Sequence, residues 1–149
     1  MTVLRRAGSK LAVLMVAILI GGAAQATDYA RQSYLLHCAG CHLPDGSGSK
    51  PNDVPSLHGI PGHFTRIPEG RAFLTQVPGI AYSPLGNAEV AEILNWMLLE
   101  YSKDTLPADF QPFTEDEVTQ LRAVRPAEIF KVRAAVLSRL QELGIRIDY

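Results

Sequence analysis

Cys38-Ala39-Gly40-Cys41-His42 places two thiols three residues apart, with an imidazole directly after the second. Each thiol can add to one vinyl group of a haem and form a thioether, and the adjacent imidazole can then reach the iron from one face. The same Cys-x-x-Cys spacing also serves zinc knuckles and redox pairs. A closed zinc site takes four ligands, yet the chain holds only these two Cys. A thioredoxin-like pair needs a βαβ setting, and no such pattern occurs. The residues therefore predict one covalent haem c on Cys38 and Cys41, with His42 as axial iron ligand.

A porphyrin is a large apolar plate, so the surrounding chain must wrap it and exclude water. Asp28 is a plausible N-cap, and Ala30, Tyr34, Leu35 and Cys38 are spaced to share helical faces, which predicts a helix over 28–38. Leu43 to Ser49 is turn chemistry, with Gly46 and Gly48 free to take positive φ. Pro51, Pro55, Pro61 and Pro68 keep the next stretch irregular, and Pro68 then suits the first position of a short helix to about Val77. Pro78-Gly79 should stop it. Asn87 can cap a longer helix to about Tyr101, with Val90, Ile93, Leu94, Met97 and Tyr101 on one side and Trp96, Leu98 and Leu99 broadening the apolar surface.

Over residues 28–101 the chain resembles the class I-type cytochromes c. Cys38, Cys41 and His42 carry most of the likeness. Ala30 and Tyr34 match that family's small residue followed four later by an aromatic on the first helix, and Trp96 matches the aromatic on the helix that crosses it. Asp45-Gly46-Ser47-Gly48 is similar to the family's turn after the attachment site, and Pro55-Ser56-Leu57-His58-Gly59 to its Pro-x-Leu-x-Gly stretch. The resemblance implies an all-α, cytochrome c-like helical domain wrapping one covalent haem. It also implies that the Pro55 carbonyl receives the Nδ1 proton of His42, fixing its tautomer.

The family brings a methionine to the second iron face from the loop before the last core helix. Here that loop, Gln76 to Leu85, contains none. Met97 reads as core filler inside a helix. His63, in the irregular stretch, is the candidate sixth ligand, with His58 and Tyr82 further outside and His37 pointing away.

Beyond Tyr101, Ser102 to Pro112 reads as a connector. Thr114-Glu115-Asp116-Glu117 matches a capping box, in which Glu117 would reach back to the cap amide, opening a helix to about Ala123. Pro126 should begin another, ended by Gly144, with Ile129, Val132, Val136, Leu140 and Leu143 as its apolar stripe and Phe130 and Leu137 widening it. The domain reading is a signal peptide over 1–26, a haem domain over 27–102, and a helical extension over 103–149 packed on that domain or on a partner.

At the other end, Arg5, Arg6 and Lys10 precede the apolar run Leu11 to Ile20, and Ala24-Gln25-Ala26 closes it. This reads as an export signal cut after Ala26 rather than a retained membrane anchor, because its run is shorter than the ~20 residues a spanning helix prefers. Cleavage would place the protein in a periplasm with no stable membrane span. It would leave 11 basic residues against 15 acidic ones, which argues against nucleic acid as partner and permits docking to a basic patch on another protein. The functional expectation is an electron carrier between periplasmic redox proteins, for example from a dehydrogenase toward an oxidase, rather than an enzyme. The alternative is a haem protein with an open sixth iron position, acting as a ligand sensor or peroxidase, whose acid–base group would have to come from His63 with Arg66 or Arg71.

Overall fold

The computed structural model describes residues 28–147; the expected export signal lies outside them. Among the described residues the architecture is all-α, with a single isolated antiparallel bridge between Ser49 and Val54. The first helix, α1, covers residues 28–37, so Asp28 already lies within it rather than capping it. Ala30, Ser33 and Tyr34 are its buried residues, and their three- and four-residue spacing puts them on one face.

A turn, α2 (Ala39–His42), carries the Cys-x-x-Cys-His residues. The stretch expected to be irregular contains the 3-10 turn Lys50–Asn52 and one turn of helix, α3 (Pro61–Phe64). Pro68 opens α4 (Pro68–Gln76) as expected. Pro78, expected only to stop α4, also begins a further turn, α5 (Pro78–Ala81), because proline's missing N–H costs nothing at a helix start.

The main core helix is α6 (Asn87–Tyr101), burying Val90, Ala91, Ile93, Leu94, Met97 and Leu98. Gly86 rather than Asn87 occupies the cap position, since the Asn87 side chain is engaged with Thr119 and Arg122. Leu99 is exposed and adds nothing to the apolar face. The α1 and α6 helices meet through aromatic rings: Tyr34 lies 5.2 Å from Trp96 and 5.6 Å from Tyr101, centroid to centroid. Tilted pairs at this spacing contribute about 0.5–1.5 kcal/mol each beyond area burial.

After α6, the turn Lys103–Thr105 returns the chain over α3, and the Ser102 hydroxyl donates to the Leu57 carbonyl at 2.7 Å. Phe113 is then buried, and Asn95 of α6 holds it reciprocally. The Asn95 amide donates to the Phe113 carbonyl (2.9 Å) and its oxygen accepts the Phe113 N–H (2.7 Å). Helix α7 (Glu115–Arg122) packs on α6 and α4, and α8 (Ile129–Glu142) on α4 and α3.

Only half of the expected capping box forms. Thr114 accepts the Glu117 N–H at 3.2 Å, but the Glu117 carboxylate turns away to Arg71 with two 2.7 Å bonds. A guanidinium offers that carboxylate two charge-assisted bonds where the cap amide offers one neutral bond. On α8, Val136 and Leu140 are buried and Ile129, Val132 and Leu137 half-buried against the core. Phe130 and Leu143, at 72% and 53% exposure, leave the stripe that was expected to include them. Helix α8 starts at Ile129 rather than at Pro126, and Gly144 ends it at φ 80°.

Candidate functional site

The site is built where α1 runs out. The Cys38 N–H still donates to Tyr34 (2.8 Å), and the Cys38 carbonyl accepts from Cys41 (3.1 Å) and His42 (3.0 Å), winding both cysteines and the histidine onto one turn. Leu43 then breaks the helix at φ 63°, a left-handed conformation for a branched side chain. Such a residue costs on the order of 1–3 kcal/mol and persists only where its surroundings fix it. Here the Tyr34 hydroxyl donates to the Leu43 carbonyl at 2.7 Å, so the residue that packs α1 onto α6 also holds the end of the Cys-x-x-Cys-His turn. Burial pushes the Tyr34 phenol pKa well up, which keeps its hydroxyl protonated as that donor.

Residues 43–57 fold into a closed loop that returns to His42. Gly46 (φ 75°) faces the Tyr101 ring, and Gly48 (φ 72°) lies so close to the Val54–Pro55 backbone that a Cβ there would overlap it. The Gly48 N–H donates to the His42 carbonyl (3.0 Å), the Leu57 N–H to Gly46 (2.8 Å), and the Ser49–Val54 bridge closes the loop. Pro55 is thereby presented with its carbonyl 3.2 Å from His42 Nδ1. A carbonyl can only accept, so Nδ1 carries the proton and Nε2 keeps the lone pair a metal needs. Burial lowers the His42 pKa, partly opposed by the Pro55 bond, favouring neutral imidazole.

Both thiols are free, Cys38 half-buried and Cys41 exposed. Burial, with Cys41 alongside, pushes the Cys38 thiol up. Cys38 borders a small apolar cavity whose other lining residues are His37, Gly79, Ile80, Ser83, Leu85, Val90 and Ile93. The 77–86 connector forming that wall is fastened from α7 by Arg122. Its Nε donates to Ile80 (3.0 Å), one terminal nitrogen to the Leu85 carbonyl (2.8 Å) and Asn87 Oδ1 (2.9 Å), and the other to the Ser83 carbonyl (2.7 Å) and hydroxyl (3.0 Å).

The remaining candidates lie elsewhere. His63 sits on α3, which packs against α4, α8 and the Lys103–Thr105 turn, and does not line the cavity at Cys38. Its Nδ1 is buried without a hydrogen-bond partner, and burial together with Arg66 lowers its pKa. His58 Nε2 donates to the Asp45 carbonyl (2.7 Å), with its ring edge-on to Tyr101. Tyr82 is 67% exposed beneath the Arg125 guanidinium, and Met97 is buried in the core. Arg66 is engaged by the Thr105 and Leu106 carbonyls, and Arg71 by Glu117 and Gln111. Neither completes an acid–base pair with His63.

Arg122, Asn95 and Arg71 were not singled out as structural residues from the sequence. Their partners are 18 to 46 positions distant, and no local pattern signals them.

The all-α fold that carries the Cys-x-x-Cys-His turn is consistent with the cytochrome c fold, and the chain is homologous to cytochrome c-552, a class I c-type cytochrome. It is 28% identical to a cytochrome c-552 of Thermus thermophilus over 151 aligned residues, covering 89% of this chain and 97% of that protein. A second Thermus thermophilus cytochrome c-552 is 28% identical over 127 residues, covering 73% of this chain and 92% of its own length. No family model matches the chain.

The residues at the site fit a covalent haem. Two unpaired thiols lie on one turn, the next imidazole has its Nδ1 proton already committed to Pro55, and apolar side chains line the space that Cys38 borders.

Proposed function

We propose that this protein is an exported monohaem cytochrome c that passes single electrons between periplasmic redox proteins. In this reading Cys38 and Cys41 hold one haem through thioethers, His42 Nε2 binds the iron, and the Pro55 carbonyl orients the ring. When bound, haem supplies a one-electron ferric/ferrous couple. The chain's own part is to keep that couple dry and rigid. Tyr34 fixes the end of the attachment turn, the closed 43–57 loop fixes His42, and the apolar walls at Cys38 reduce solvent reorganisation as charge changes.

The observation that carries this reading is the 3.2 Å approach of His42 Nδ1 to Pro55, on the same turn as two free thiols. A structural histidine would not require its neighbours to be an unpaired Cys-x-x-Cys. No helix among the described residues is long and apolar enough to cross a membrane. Residues 1–26 are proposed to act as the removed export signal, a dehydrogenase as donor, and another cytochrome or an oxidase as acceptor.

Voltammetry of the purified holoprotein tests the proposal. One reversible one-electron wave is expected, abolished in Cys38→Ser/Cys41→Ser and strongly displaced in His42→Ala. A protein that takes up haem but shows no reversible couple would contradict the carrier function.

A further inference from the structure

We propose that the cleft between the α3–α4 junction and the 107–111 segment binds a small zwitterion of the α-amino-acid kind, with one carboxylate, one ammonium and an apolar side chain. The cleft shares no residue with the cavity at Cys38, so the inference stands apart from the haem reading. Its volume is about 480 Å³, within the roughly 300–1,000 Å³ range of small-molecule sites. Thr65, Arg66 and Arg71 line it from the α3–α4 region, and Pro107, Asp109 and Phe110 from the connector that follows α6.

Two arginines frame the cleft. Arg66 Nη2 donates to the Thr105 (2.9 Å) and Leu106 (3.4 Å) carbonyls, and Arg71 Nη1 donates to the Gln111 carbonyl (2.9 Å). The connector is therefore tied down on both flanks of residues 107–110. Between those ties the Phe110 N–H donates to the Pro107 carbonyl (3.0 Å), closing a turn that carries Asp109. A site shaped before its ligand arrives loses less ordering entropy on binding.

The charges these bonds leave unmatched select the ligand. Arg71 is neutralised by the Glu117 carboxylate through two 2.7 Å bonds. Arg66 is exposed and has only uncharged carbonyls for partners, and its Nε and Nη1 donate to no group among the described residues. Asp109 is exposed too. Gln111 Nε2 donates to its backbone carbonyl (3.1 Å), which leaves its carboxylate without a partner among the described residues. The cleft thus presents one guanidinium and one carboxylate that are not paired with each other.

A simple anion would satisfy Arg66 but meet the charges of Asp109 and Glu117, and a simple cation would satisfy Asp109 but meet Arg66. A zwitterion matches both at once. Pro107 and the half-buried Phe110 ring supply apolar surface for its side chain, which an aromatic ring covers best.

L-Phenylalanine is the probe, compared with hydrocinnamate, which lacks the ammonium, and phenethylamine, which lacks the carboxylate. Titration of the holoprotein followed by NMR should show phenylalanine binding with a Kd on the order of 1 mM. The shifted resonances should belong to the cleft, and each analogue should bind at least about tenfold more weakly. Asp109→Asn removes no side-chain contact within the protein and should abolish the preference for phenylalanine over hydrocinnamate. Arg66→Gln should abolish the preference over phenethylamine. Because Arg66 also ties down the connector, Asp109→Asn keeps the test independent of any loss of folding. Equal binding of all three compounds, a preference that survives Asp109→Asn, shifts confined to residues outside the cleft, or no binding up to roughly 10 mM would each overturn the proposal.

Discussion

Replacing Arg71 by alanine should destabilise the whole protein, because this side chain joins α4 to the C-terminal helices in several ways at once. It makes two 2.7 Å bonds to the Glu117 carboxylate and one of 2.9 Å to the Gln111 carbonyl. Its guanidinium carbon also sits 4.0 Å from the Phe113 ring centroid. Hydrogen bonds to charged groups contribute roughly 1.5–3 kcal/mol net, and a partly desolvated cation–π contact about 1 kcal/mol. The side chains of Arg71 and Glu117 retain 17% and 28% exposure, so solvent screening places the sum toward the lower end. The expected loss is about 2–3 kcal/mol, and at about 4 °C per kcal/mol for a domain of this size, Tm falls by roughly 8–12 °C.

Thermal and denaturant unfolding of holoprotein, followed by circular dichroism, measures this loss. A double-mutant cycle with Glu117→Ala should return about 1–2 kcal/mol of coupling, and Arg71→Lys should recover only part of the loss because an ammonium cannot form the two-pronged pair. A loss below about 1 kcal/mol would refute the reasoning. So would a wild-type protein in which the C-terminal helices melt in a separate earlier transition, since the bridge would then not join one cooperative unit.

Further outcomes follow from other contacts. Asn95→Ala leaves the Phe113 N–H and carbonyl unpaired and should cost about 2–3 kcal/mol in denaturant unfolding. Tyr34→Phe removes the bond that holds Leu43 in its left-handed conformation, and should cost about 1 kcal/mol while leaving the covalent haem in place. Gly70→Ala drives a methyl into the Phe64 carbonyl and should destabilise by about 1–3 kcal/mol, measurable as a lowered denaturation midpoint. His63→Leu removes a buried nitrogen that has no partner, so stability should hold or rise and the haem spectrum should not change; loss of a low-spin band would instead make His63 an iron ligand.

What could be read from the sequence was local or periodic. The Pro68 start of α4, the 87–101 span of α6 and the Thr114 cap follow from residues within one turn of each boundary. The approach of Pro55 to His42 was accessible only through the family resemblance, because 13 residues and two positive-φ glycines separate them. Long-range guanidinium contacts were not legible. Glu117 looked like the second half of a capping box because nothing nearby announces Arg71, and Asn87 looked like a cap because nothing announces Arg122. Phe130 and Leu143 fit the period of α8 yet face solvent, since periodicity reports which residues share a face and not how far the covering surface extends.

Intact-protein and peptide mass spectrometry of the exported protein, produced in cells competent for cytochrome maturation, tests the central claim most directly. The account predicts a single haem mass carried by the peptide that contains Cys38 and Cys41, on a chain lacking residues 1–26. A colourless protein in which both thiols react freely with an alkylating reagent would contradict it.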